Sequence, residues 1–233
     1  MIDYASIVST PQETEVFSLL NQLRFTGKGF ESALNAHFSA LQQLLQAGRG
    51  AGLRNSEDLQ SAQTLIANAL LKVQGKGDYT RLHLSPGLCQ AARDVVCNLG
   101  TFGFIAPVEG GAEKTEAWAV SSSFYPKYGR LSAFPVLENF AYGFANAIEA
   151  LCAMLASSTP DIHGDPGNLF SPQVRVIGLA AGSHQSMRNC LVLVSCGNYF
   201  EKKAGEPERP TVQATSEFYP AGLGKSIVRV GSR

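Results

Sequence analysis

Two carboxylates carry most of the chemical potential of this chain. Glu138 lies in Leu137-Glu138-Asn139-Phe140-Ala141-Tyr142-Gly143. Glu149 lies in Asn146-Ala147-Ile148-Glu149-Ala150-Leu151, eleven residues further on. The first falls in a predicted turn and the second on a predicted helix. Two carboxylates brought together without a cation raise one another's pKa and share a proton. The histidines offer these acids little by sequence position. His37 sits beside Phe38 on a predicted helix and reads as exposed or satisfied, and His83 precedes another helix and reads as structural. His184 falls in a predicted hairpin loop and reads as solvated. Ser195-Cys196 has no histidine at a suggestive spacing, and no Gly-x-Ser-x-Gly elbow occurs, so nucleophilic catalysis is unsupported. The glycine-rich residues 48–52 lack Walker spacing and a preceding strand, so they carry no phosphate signal.

The elements that must position these groups are helical first and mixed later. Residues 1–10 read as an arm. Thr10-Pro11-Gln12-Glu13 is a capping box with proline at the first helical position, and Val16, Leu19, Leu20 and Leu23 follow at helical spacing. A second helix begins near Phe30, with Leu34, Phe38, Leu41 and Leu45 on one face. A third starts at Asn55 or Ser56, with Glu57 and Asp58 in its first turn and a stripe of Leu59, Ala62, Ile66, Ala69 and Val73. Ser85-Pro86 starts a fourth, and a fifth covers residues 144–156. Residues 116–122, 173–181 and 189–199 are strand candidates, the last holding the run Leu191-Val192-Leu193-Val194. Residues 182–188 read as the loop of a hairpin. Helices followed by helices and antiparallel strands together indicate an α+β fold.

Composition narrows the function. Of 233 residues, 45% are hydrophobic and 13 are Phe, enough for a sizeable core. Charged residues make up 16%, against a usual figure of about 25%. Two readings of that shortage stand: a surface covered by a partner or by the chain's own tail, or a neutral surface rich in Ser, Gln, Asn and Gly. Net charge is zero and no basic block is long, which disfavours nucleic acid. No apolar run approaches the ~18 residues of a membrane span. The start of the chain has neither a basic n-region nor an apolar h-region, so no signal peptide is expected. Cys89 and Cys97 are about 12 Å apart on a predicted helix, and Cys190 and Cys196 about 20 Å apart on a predicted strand. Neither pair fits the ~7 Å limit of a disulfide. All five cysteines read as buried, reduced thiols.

From residue 202 to 233 the character changes. Prolines and glycines alternate with Phe218, Tyr219, Leu223, Ile227 and Val230. Such a stretch builds no core of its own, yet it is richer in large apolar residues than most disordered tails. An extended tail lying on a partner or on its own domain is the expectation, with Phe218, Tyr219, Leu223 and Ile227 as the partner-binding residues.

Three segments in order resemble the CAP superfamily of SCP domains, which includes the cysteine-rich secretory and pathogenesis-related proteins. They are Leu19-Leu20-Asn21-Gln22-Leu23-Arg24, then Leu84-Ser85-Pro86-Gly87-Leu88-Cys89-Gln90-Ala91-Ala92-Arg93-Asp94, then Glu138-Asn139 through Glu149 to Asn168-Leu169-Phe170 and Val176-Ile177-Gly178-Leu179. The likeness covers roughly residues 12–200, and the helical insertion over 28–83 is similar to that of a protist-type branch. It implies an α-β-α sandwich with a small antiparallel sheet over residues 11–201. It also implies a cleft in which two histidines and two glutamates hold a divalent metal. Glu138 matches the glutamate of the family's Gly-Glu-Asn motif, with Leu137 in place of glycine, and Glu149 matches the glutamate on the next helix. Pro107 stands where the first histidine belongs and Asp165 where the second does. His163 serves only if the loop slips.

The implied cleft is therefore degenerate. Zinc prefers nitrogen and sulfur ligands, whereas Glu138, Glu149 and Asp165 offer oxygens better suited to magnesium or calcium. No cofactor is expected. Glu138 is expected to accept backbone hydrogen bonds in its turn, and Glu149 to pair with an arginine or a hydroxyl. Trp118, Tyr125 and Tyr128 are expected to pack in a core or interface rather than against lipid. The functional expectation is a non-enzymatic subunit of a larger cytoplasmic assembly, cytoskeletal or ciliary, bound to other proteins. The family offers two alternatives, a lipid- or sterol-binding module and, less favoured, a metal-dependent hydrolase. It also suggests secretion in place of a cytoplasmic location.

Overall fold

A computed structural model of the chain describes residues 10–25, 28–47, 56–74, 79–103, 124–131, 137–157, 167–202 and 226–229. In chain order the elements are α1 (Pro11–Phe25), α2 (Lys28–Gln46), α3 (Ser56–Val73), β1 (His83–Leu84), α4 (Pro86–Phe102), a helical turn α5 (124–128), β2 (Gly129–Leu131), β3 (Leu137–Tyr142), α6 (Ala147–Ser157), a 3-10 turn (Gly167–Phe170), β4 (Val176–His184), β5 (Arg188–Cys196), β6 (Tyr199–Glu201) and β7 (Ser226–Arg229).

The capping signals act locally as the chemistry requires. At α1 the Glu13 amide donates to Thr10 Oγ1 at 3.1 Å, and the Thr10 amide donates to Glu13 Oε2 at 3.2 Å. Ser85, extended at φ −104°, accepts from the Leu88 amide at 3.0 Å and starts α4 ahead of Pro86. Gly103 ends α4 at φ 66°, a left-handed position that favours glycine.

Five strands form one mixed sheet in the order β1-β4-β5-β3-β7. The pairs β4–β5 and β5–β3 are antiparallel, whereas β1–β4 and β3–β7 are parallel. The sheet is thus not purely antiparallel, because both of its outer strands arrive through crossovers. Strand alternation divides the interior in two. Leu137, Ala141, Leu191 and Leu193 share a core with α1, α3 and α6. Phe140, Tyr142, Cys190, Val192, Val194 and Cys196 share another with α4 and Tyr125. Both faces of β5 are covered, which explains its unbroken apolar run. Helix α6 is buried on nearly all sides between sheet and outer helices, so its composition is apolar all round.

Close approach fixes α4 against β4. A Cβ on Gly178 would fall on the backbone carbonyl of Leu88, so only glycine lets helix and strand meet here. Each buried Leu or Val in these layers contributes about 1.5–3 kcal/mol.

Several expectations are corrected. Glu138 lies in strand β3, not in a turn. The hairpin loop shrinks to residues 185–187, because β4 runs on to His184 and β5 starts at Arg188. His184 is buried rather than solvated: its ring meets Tyr142 edge-on at 5.2 Å, and its Nδ1 accepts from the Ser186 and Met187 amides at 3.3 and 3.2 Å. Cys97 is exposed, while the other four thiols are buried and all five are free. The strand candidate 116–122 lies outside the described residues. Among the described residues, no helix is long and apolar enough to cross a membrane.

Candidate functional site

Glu138 shares the β3 face of Phe140 and Tyr142, which turns toward α4. Its carboxylate accepts a hydrogen bond from the Tyr125 hydroxyl, and Tyr125 belongs to the α4-side core. The Tyr125 carbonyl in turn accepts from the Tyr199 hydroxyl at 2.7 Å. A run of hydrogen bonds, passing through the side chain and the carbonyl of Tyr125, therefore links β3 through α5 to β6. Glu138 ties this layer together by accepting from the Tyr125 phenol.

Glu149 lies beneath the opposite face of the sheet, in the first turn of α6. Asn146 Oδ1 accepts from the Glu149 amide at 3.0 Å, and Glu149 Oε2 accepts from the Ala145 amide at 3.1 Å. This is a reciprocal cap that satisfies backbone donors at the helix start. Glu149 Oε1 stands 3.3 Å from His37 Nε2 on α2, and the same nitrogen is 3.3 Å from Asn146 Nδ2. A protonated Nε2 donates to Glu149, whereas a bare one accepts from Asn146. One partner of Glu149 is thus a histidine from the helical insertion.

The two acids therefore do not converge: the sheet lies between them. Pro107, His163 and Asp165, the other members of the expected cleft, lie outside the described residues. Among the described residues, no three His, Cys, Asp or Glu side chains come together as a metal site. Of the expected tail residues, Phe218, Tyr219 and Leu223 also lie outside the described residues. Ile227 lies in β7, in register with Phe140 of its own chain. At Ser226–Arg229 the chain thus returns to its own sheet and pairs with β3.

Other polar residues are likewise engaged in holding backbone. Arg24 is fully buried. Its guanidinium donates to the carbonyls of Thr80 (3.1 Å), Leu169 (2.6 Å), Ser171 (3.2 Å) and Val174 (3.1 Å), and it lies 5.6 Å from the Tyr79 ring centroid. Burial pushes its pKa down to about 10, and the Tyr79 phenol opposes this. Glu13 Oε1 accepts from the Ala181 amide of β4 at 2.9 Å, while Oε2 meets Arg93 of α4 at 3.6 Å. Glu201 of β6 accepts from the Ser85 hydroxyl and from the Gly87 amide, the latter at 2.9 Å, and so closes the start of α4. Lys72 Nζ donates to the Leu155 and Ala156 carbonyls at 2.8 and 2.9 Å, completing the last turn of α6.

Sequence reasoning missed Arg24 and Glu201 as organising residues. Arg24 carried a signal: it follows Leu20 and Leu23 on the buried stripe of α1, where a charge needs partners. Glu201 carried none, since its partners lie more than a hundred residues earlier.

The chain matches no protein-family model, no curated protein and no solved structure.

Proposed function

We propose that the chain is a non-enzymatic SCP-like scaffold, a structural subunit of a larger intracellular assembly of cytoskeletal or ciliary type. The observation that carries this reading is the separation of Glu138 and Glu149 by the sheet, with Glu138 bonded to Tyr125 and Glu149 to His37. Carboxylates that share neither a cleft nor a proton are poorly placed for paired acid–base work. Support for the SCP likeness comes from helical layers on both sides of a small sheet. It also comes from Arg24, which closes the opening helix onto the segment Leu169-Phe170 that the likeness singled out.

The low charge fraction supports a surface meant to be covered. Phe25 and Phe200 are exposed large apolar side chains, each under an arginine, Arg81 at 4.4 Å and Arg130 at 5.2 Å from the ring centroids. Aromatic and arginine side chains of this kind are enriched at protein–protein contacts.

Sedimentation of the native protein in gentle extracts of its source cells tests the reading. The expected result is a particle many times the mass of one chain. A free monomer in every fraction overturns it.

A further inference from the structure

The edge of β3 turned away from β5 is filled by the chain's own C-terminal strand. All six residues of β3 are buried. β7 runs parallel to it, with Asn139 opposite Ser226, Phe140 opposite Ile227, Ala141 opposite Val228 and Tyr142 opposite Arg229. It also lies beside α6. β7 has four residues, short enough for an edge strand to leave at modest cost.

The connection decides where this strand can go. β6 ends at Glu201 and β7 begins at Ser226. Stretched out, residues 203–225 reach about 75 Å, nearly twice the ~40 Å diameter expected of a domain of this size. That reach delivers Ser226–Arg229 to the β3 edge of its own chain or to that of an adjacent copy. The closed and exchanged forms contain the same strand pair in the same register. Exchange of an identical element is accordingly a low-cost route to association. Tethering gives the chain's own strand an effective concentration on the order of millimolar. Copies packed at one per cube of about 100 Å are at about 2 mM, so neighbours in an assembly compete on equal terms.

We infer that Ser226–Arg229 is an exchangeable strand that, within the assembly proposed above, is donated to the β3 edge of a second copy of this chain. The inference rests on that reading for its setting, and on the β3–β7 register for its geometry. Each copy gives one strand and accepts one. Reciprocal exchange closes a dimer, and serial exchange extends an open row of copies.

Sedimentation equilibrium of the purified full chain, from about 10 μM to about 2 mM, reads the exchange directly. The expected average mass of the unaltered chain rises by about 1.5-fold or more over that range. The full chain carrying Ile227→Pro and Val228→Pro, which removes two donors from the strand, stays at the mass of one chain. A flat mass for the unaltered chain, or an equal rise in the proline variant, overturns the inference.

A second measurement does not depend on the proline variant folding. Two full-length chains are mixed at high concentration, one with Ala141→Cys and one with Val228→Cys, both with Cys97→Ser. Glutathione disulfide accepts the two electrons of the paired thiols and leaves as two glutathione thiols. A disulfide between the two chains is expected, rising with concentration. Its absence at about 2 mM overturns the inference. A solitary protein in native extracts would sink the assembly reading alone, because exchange in the purified chain stands or falls by these two measurements.

Discussion

His37 Nε2 stands 3.3 Å from Glu149 Oε1, and this contact fastens α2 to the first turn of α6. Glu149 is fully buried and His37 mostly so, with a side chain 21% exposed. The same carboxylate caps its own helix through the Ala145 amide. One residue thus joins the helical insertion to the helix on which the inner core rests.

Removing either partner should therefore cost stability through the other. Glu149→Ala is expected to lose roughly 1–3 kcal/mol, since it removes the buried acceptor of the Ala145 amide as well as the histidine contact. A double-mutant cycle of His37→Ala with Glu149→Ala, read by urea denaturation, is expected to show a coupling of about 0.5–1.5 kcal/mol. Additive single effects would show that the contact carries no energy.

Arg24 is the most demanding buried group. Arg24→Met leaves four carbonyls without their donor, and a loss of roughly 3–5 kcal/mol is expected. The thermal midpoint reads this directly. A loss under about 1 kcal/mol would mean that water replaces the guanidinium at those carbonyls.

Lys72→Met tests the other end of α6. It removes the cation from the Leu155 and Ala156 carbonyls, and a loss of about 0.5–1.5 kcal/mol is expected. Hydrogen exchange in the last turn of α6 should rise in step.

Thiol chemistry gives a pH signature. Burial pushes the Cys89 thiol up to about 11 and the Cys190 and Cys196 thiols up to about 12, and it raises Cys152 further. A thiol-specific reagent at mildly alkaline pH should label Cys97 quickly and these four only after unfolding. The sign of the stability change follows. Unfolded thiols lose their protons near their ordinary value of 9, while the native ones keep theirs. The native state then holds more protons, so stability falls as pH rises from about 9 toward 12. A stability that stays level across that window would contradict the burial of these side chains.

Much of the fold was legible because its signals are local. Thr10 with Glu13, Ser85 with Pro86, and the stripes of α1 and α3 act within a turn or two of their own sequence. The run Leu191-Val192-Leu193-Val194 read as a strand because β5 is covered on both faces. β3 was hidden by the same circumstance: with both faces buried, Leu137-Glu138-Asn139-Phe140-Ala141-Tyr142 shows no polar–apolar alternation, and its Glu and Asn suggested a turn. His184 was misread because the Tyr142 ring that buries it comes from a distant strand. The site was less legible still. Glu149 and Glu138 were seen as a pair in sequence, but only the strand's facing direction tells that the sheet divides them. His37 met Glu149 through packing of the insertion, which no spacing encodes.

The most direct measurement of the central claim is the melting temperature of the full chain with zinc, magnesium or calcium, and with a chelator. A ligand held by Glu138 and Glu149 together at about 100 times its Kd would add about 2.7 kcal/mol, a shift of several degrees. The expected result is no shift beyond about 1 °C with any of them. A rise of several degrees with one metal, reversed by the chelator and lost in both Glu138→Gln and Glu149→Gln, would contradict the claim that these two acids serve separate layers of a scaffold.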